Sequence, residues 1–278
     1  MGNIEDWKYY KSAIVSALDP HKLPDLSPVN DNSIWKAFDK KAYFVRWTDN
    51  YDCKIETNWW FIIKDSPFDI NQLKAKRRYV INNGIKNFDV RVIDDAEKYA
   101  EEFFTVAKDA YLDYPKEYRP EINHDKFVNG VHSWAKYDVL AAFDRENQKL
   151  SGYVCLKRGT ESINFQMQRV LRSAEKRNVN AALVYGILEF YHDDLEKGCY
   201  IYDGERSVLH ETAFQDYLEK YFDFRKAYCR LNIKYKKNIA VMVKVLYPMR
   251  GILRKFNKIG MINKINAILR MEEIIRNE

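Results

Sequence analysis

Residues 139–170 read VLAAFDRENQKLSGYVCLKRGTESINFQMQRV. Three apolar runs are separated by short polar links, the first of them Arg145-Glu146-Asn147-Gln148. They predict the strands Val139–Phe143, Leu150–Lys157 and Glu161–Val170, close enough along the chain to pair antiparallel. The third alternates, with Ile163, Phe165 and Met167 on one face and Asn164, Gln166 and Gln168 on the other, the period of a strand with one buried side.

Upstream, Phe88–Ile93 reads as a strand. Asp94-Asp95 caps a helix to about Leu112, with Ala96, Tyr99, Phe103, Val106 and Ala110 at helical spacing, and Asn123 or Asp125 caps another to about Ala135. Downstream come a helix over about 178–195 ended by Lys197-Gly198, a strand Cys199–Asp203, a helix Thr212–Tyr221 and a strand Tyr228–Tyr235. The order is β-α-α-β-β-β-α-β-α-β, with a helical crossover to a parallel neighbour. It predicts an α+β fold with a central mixed, twisted sheet flanked by helices.

The flanks read differently. Trp7, Tyr10, Ile14 and Leu18 predict a helix over Ile4 to Leu18. A connector with Pro20, Pro24 and Pro28 follows, then strands Ala42–Thr48 and Asn58–Lys64, then a basic helix stopped by Asn83-Gly84. Past Ile239, Met242, Val245, Leu246, Met249, Leu253 and Phe256 predict an amphipathic helix, and Ile262 to Ile275 a second one beyond Gly260. The expected organisation is an N-terminal extension with a β-β-α unit over 1–86, a core domain over 87–237 and a basic amphipathic helical tail over 238–278.

Composition bounds the function. The 278 residues are 46% hydrophobic, 31% charged and 15% aromatic, enough for a sizeable core. No run of 18 apolar residues occurs, and residues 1–6 carry no signal-peptide pattern, so a cytoplasmic location is expected. Cys53, Cys155, Cys199 and Cys229 are scattered and read as reduced core thiols. The net charge is +6, and residues 238–278 alone carry eight basic and three acidic side chains. A near-neutral body argues against a DNA-binding protein. The basic tail is read either as lying on anionic membrane, at the inner face, or as packing on the body or on a partner, a homodimer included.

The element order over about Phe88 to Lys236 resembles the GNAT (GCN5-related N-acetyltransferase) superfamily. Tyr217-Leu-Glu-Lys-Tyr-Phe-Asp-Phe-Arg-Lys226 looks like that family's last helix and following turn. Lys74-Ala-Lys-Arg-Arg-Tyr79 with Asn83-Gly84-Ile85-Lys86 and Val90-Arg91-Val92 is similar to Fem-type peptidoglycan aminoacyltransferases, and His210 to Lys220 points to relatives in bacterial surface-glycan synthesis. The resemblance implies an acyltransferase whose donor is acetyl-CoA, another acyl-CoA or an aminoacyl-tRNA. It implies an acceptor amine or hydroxyl on a sugar or peptidoglycan-type precursor, free or lipid-linked. It further implies two parallel strands that splay, a pantetheine arm pairing along Asn164–Val170 past Gln168 and Val170, and a pyrophosphate at the next helix N-terminus. There Arg172, Lys176, Arg177 and Asn178 would receive it. The family's turn is glycine-rich, and here no glycine lies between Thr160 and Tyr185. A fold that has lost catalysis and binds a glycan or partner is the rival reading.

N-acylation needs a base for the amine and an acid for the leaving group. The loop Asp203-Gly-Glu-Arg-Ser-Val-Leu-His-Glu211 gathers candidates. Glu205 or His210 is the expected base, Asp203-Gly204 reads as a tight turn, and Tyr217 is the expected acid. His192-Asp193-Asp194 does not converge on one helical face, so no metal is expected. Trp59-Trp60 can line a cleft with one ring only, since the two alternate.

Overall fold

The structure is a computed structural model that describes residues 3–38, 42–114, 119–208, 213–256 and 260–277. The chain divides into two compact units: Met1–Ile62 with Glu205–Ala213 and Lys226–Glu278, and Ile63–Gly204 with Phe214–Arg225.

The first unit opens with a hairpin, not the expected helix. Strands β1 (Trp7–Tyr10) and β2 (Ala13–Ser16) pair antiparallel, Tyr10 opposite Ala13. Lys11 and Ser12 take φ of 46° and 68° to turn between them. Left-handed residues fit a two-residue hairpin loop, but this one lacks the usual Asn-Gly signal. Trp7 and Ile14 are buried with Val29, Ile34 and Val45, so tertiary packing decides between the two periods. Short helices α1 (Ser27–Asn30) and α2 (Ile34–Ala37) lead to strands β3 (Phe44–Asp49) and β4 (Trp59–Lys64). Trp59 is fully buried.

The second unit begins with helix α3 (Ala75–Asn87), which runs through Asn83-Gly84 instead of ending there. A Cβ on Gly84 would meet the Asn178 carbonyl oxygen at 2.6 Å. The glycine therefore serves helix contact. Strand β5 (Phe88–Val92), helices α4 (Ala100–Ala110) and α5 (His124–Gly130), and strands β6 (Asp138–Asp144), β7 (Leu150–Arg158) and β8 (Ser162–Val170) follow. Next come α6 (Arg172–Glu175), α7 (Val179–Phe190), α8 (His192–Glu196), β9 (Tyr200–Glu205) and α9 (Ala213–Phe222). The strand order is β9-β8-β7-β6-β5, antiparallel except for the parallel β8–β9 pair.

Alternation sorts side chains onto two buried faces. Phe103 and Val106 of α4 pack with Ala141, Phe143, Tyr153 and Cys155. On the opposite face lies α7, buried along Val179, Ala181, Ala182, Leu183, Val184, Ile187 and Leu188, with Leu183 close to Gly152. A helix apolar all round suits such a central position.

The chain returns to the first unit in strand β10 (Arg225–Tyr235), antiparallel to β3, and ends in α10 (Lys237–Leu246), α11 (Arg250–Leu253) and α12 (Gly260–Arg276). No helix among the described residues is long and apolar enough to cross a membrane.

Candidate functional site

Strands β8 and β9 share only three register pairs, Ser162 with Tyr200, Ile163 with Ile201 and Asn164 with Tyr202. At the last of these, the Asn164 amide donates to the Tyr202 hydroxyl at 2.7 Å. On its other edge β8 stays paired with β7 as far as Val170. Its free edge from Phe165 onward carries N–H and C=O groups that need partners. The register against β7 jumps at the same place: Leu156 faces Phe165 and Cys155 faces Met167, so Gln166 is the extra residue. Such a bulge bends a strand and raises its twist, and here it starts the divergence.

The gap opens into a cleft of about 470 Å³ lined by Phe165 to Val170 on one side and by Asp203, Phe214, Asn180, Glu175 and the end of α4 around it. Asp203 is half-buried. Burial pushes its carboxyl up to about 7 from an ordinary 3.8, with the Gln215 amide offsetting part of the effect. The buried Gln215 also donates to the Asp203 carbonyl oxygen at 2.8 Å, which fixes the end of β9. A carboxyl titrating near neutrality can take a proton at physiological pH and release it again. Across the cleft, burial and the neighbouring Asp113 raise the Glu175 carboxyl as well.

No protein-family model matches the sequence, and no curated protein matches it significantly. Solved structures do resemble it. The C-terminal domain (DUF2156) of a putative lysylphosphatidylglycerol synthetase from Agrobacterium fabrum aligns with a TM-score of 0.51 at 10% identity, over 86% of this chain and 84% of that one. A conserved protein of unknown function from Bacteroides thetaiotaomicron aligns at 0.51 and 13%, over 84% of each chain. FemX aligns at 0.49 and 9%, over 80% and 81%. The likeness is one of fold. At such identities the likeness concerns the path of the chain and leaves the chemistry to the residues.

The resemblance read from the sequence implies a pyrophosphate at the turn after β8, and the residues there do not fit one. The Arg172 backbone N–H donates to Asp109 Oδ2 at 2.8 Å, and its guanidinium donates to Asp109 Oδ1 from Nε at 3.2 Å and Nη2 at 3.0 Å. Burial alone would raise Asp109, but these bonds outweigh it and hold the carboxyl below its usual range. Arg177 Nη1 donates to the buried Asp144 at 2.5 Å, and its guanidinium lies over Phe88. Lys176 is exposed. Asn178, at φ 65°, starts α7 and accepts from the Ala181 and Ala182 amides through its carbonyl oxygen. A carboxylate of α4 therefore occupies the helix-entry donors that a phosphate would use.

Gln168 and Val170 do line the cleft, and Gln168 Nε2 donates to Asn180 Oδ1 at 2.7 Å, tying β8 to α7. Glu205 belongs to the first unit, where Arg46 donates to its carboxylate. His210 lies outside the described residues. Tyr217 stacks on Phe214 at 6.2 Å and sits against Tyr221 and Phe222, and burial raises its phenol further. Sequence reasoning gathered Asp203 with the loop over 203–211 but read Asp203-Gly204 as a tight turn and gave the base role to Glu205 or His210. The signal was there: Asp203 ends the apolar run of β9, where a strand tip meets the expected gap. Among the described residues no cluster of three His, Cys, Asp or Glu is placed to hold a metal.

Proposed function

We propose that this chain transfers an acyl group from an activated ester to an amine or hydroxyl in the gap between β8 and β9, with Asp203 as the general base. The observation that carries this reading is the coincidence of the strand divergence with a carboxyl poised near neutrality at its rim. Asp203 takes a proton from the acceptor ammonium, freeing the amine lone pair that then attacks the acyl carbonyl carbon, or takes the proton of an acceptor hydroxyl as its oxygen attacks. The carbonyl carbon's bond to the carrier oxygen then breaks, and protonated Asp203 returns its proton to that oxygen as the carrier leaves. The free edge of β8 supplies backbone groups to hold an extended donor arm.

Of the two donor classes, the aminoacyl ester of a tRNA is favoured over acyl-CoA. Asp109 already fills the anion position after β8, and Asp113 and Glu175 make that wall of the cleft acidic. The likeness to a domain of a putative lysylphosphatidylglycerol synthetase agrees with this choice. For the acceptor we retain a sugar or peptidoglycan-type precursor, soluble or lipid-linked. The test is a transfer assay with labelled aminoacyl-tRNA and labelled acetyl-CoA over such acceptors. Label should move from the tRNA and fall by at least about a hundredfold in Asp203→Asn, the scale of a lost general base. Transfer from acetyl-CoA alone would overturn the donor assignment, and equal rates in Asp203→Asn would overturn the site.

A further inference from the structure

The helical run from Lys237 to Phe256 combines α10, a 3-10 turn at Tyr247–Met249, α11 and a 3-10 turn at Arg254–Phe256. Its inner side is anchored on α12. Val243 is buried, Arg250 Nε donates to Glu273 at 3.2 Å, Arg254 donates to the same carboxylate, and Asn266 Nδ2 donates to the Leu253 carbonyl at 2.9 Å. Its outer side is apolar. Val241, Val245, Met249, Ile252 and Phe256 are between 47% and 64% exposed. Within α10, at about 100° per residue, Val241 and Val245 lie about 40° apart. The sequence pattern alone had placed Met242, Leu246 and Leu253 on this stripe, and the structure turns them inward to half-buried positions.

Lysines line one flank. Lys237, Lys244 and Lys255 are exposed, and within α10 the same helical spacing sets Lys237 and Lys244 within about 20° of each other, to one side of Val241 and Val245. No Asp or Glu occurs between Asp223 and Glu272. From these observations we infer that the stripe docks on the surface of an anionic lipid bilayer, with the five apolar side chains in the acyl boundary and the lysines at the headgroups. An amphipathic helix with cations beside a narrow apolar face binds such an interface by both effects together. A second copy of the chain fits this face poorly. A two-fold contact would set the lysine row against itself or leave it unanswered, since a two-fold interface meets its own surface.

The experiment is flotation of the full chain with vesicles one-third phosphatidylserine and two-thirds phosphatidylcholine, beside pure phosphatidylcholine. The chain should rise with the anionic vesicles and stay down with the neutral ones. Val245→Glu with Ile252→Glu should cut partitioning more than about tenfold by placing charge in the apolar boundary. Lys237→Gln, Lys244→Gln and Lys255→Gln together should cut it about a hundredfold, at about fivefold per lysine. The substituted side chains are exposed, and an unchanged melting temperature confirms that each variant is folded. Flotation independent of lipid charge, or unchanged in the apolar variant, overturns the inference. So does a chain that ignores the vesicles while sedimenting as a dimer that Val245→Glu dissolves, because that result assigns the face to a second copy.

Discussion

Two basic stretches look alike in the sequence and part company in the structure. Residues 172–177 hold Arg172, Lys176 and Arg177, and residues 237–255 hold Lys237, Lys244, Arg250, Arg254 and Lys255. In the first, both arginines are spent on carboxylates of their own unit, Asp109 and Asp144. In the second, the arginines share Glu273 while the lysines stand exposed beside an apolar stripe. The count and sign of charges do not identify a partner. What remains after the fold has neutralised its own charges does. Carboxylates follow the same rule. Asp144 is held low by the Glu146 backbone amide and by Arg177, and Asp109 by the Arg172 amide and guanidinium, against burial in both, whereas Asp203 has only the Gln215 amide against burial and is pushed up.

The largest effect that would break this contrast concerns Asp203 and stability. Its folded value of about 7 lies above the ordinary 3.8, so the fold favours the neutral acid. That contribution is complete below about pH 4 and is lost as pH rises toward and through 7. Asp203→Asn should therefore stabilise the chain at pH 8 by up to about 4 kcal/mol, at 1.36 kcal/mol per unit, and change little at pH 4. Thermal melts of both proteins at the two pH values measure the difference, and equal gains at both would contradict the burial account.

Next in size is the ion pair after β8. Arg177→Met leaves the buried Asp144 without its cation and should cost about 3 kcal/mol in denaturant unfolding. Lys244→Met, on the exposed flank, should stay within about 0.5 kcal/mol. Comparable losses would erase the distinction between spent and displayed cations. A milder change sharpens it. Asp109→Ala frees the Arg172 amide and leaves its guanidinium only the longer contact to Asp113 at 3.8 Å, and pyrophosphate should then bind about tenfold more tightly by calorimetry. Unchanged binding would mean that Asp109 is not what keeps the turn closed to phosphate.

Much of the fold was legible because local rules agree. The alternation in β8, the polar turn before Leu150 and the helical spacing of Phe103 and Val106 each specify their element without help from afar. The N-terminal hairpin was not, because Trp7, Tyr10, Ile14 and Leu18 satisfy a helical period and Lys11-Ser12 carries no glycine to mark the turn. The strand gap could be placed from the element order, but its rim could not be populated. The bulge at Gln166 leaves no mark in composition, and Arg172 meets Asp109 across 63 residues while Arg177 meets Asp144 across 33. Asp203 could be placed at the end of an apolar run beside the expected gap, but its desolvation could not be read from an aspartate before a glycine.

The most direct test of the account is a carboxyl carbon NMR titration of the full chain, with the Asp203 signal assigned by its absence in Asp203→Asn. A midpoint near pH 7 is the predicted result. A midpoint near 4, the value of an aspartate in water, would contradict it and leave the gap between β8 and β9 without its base.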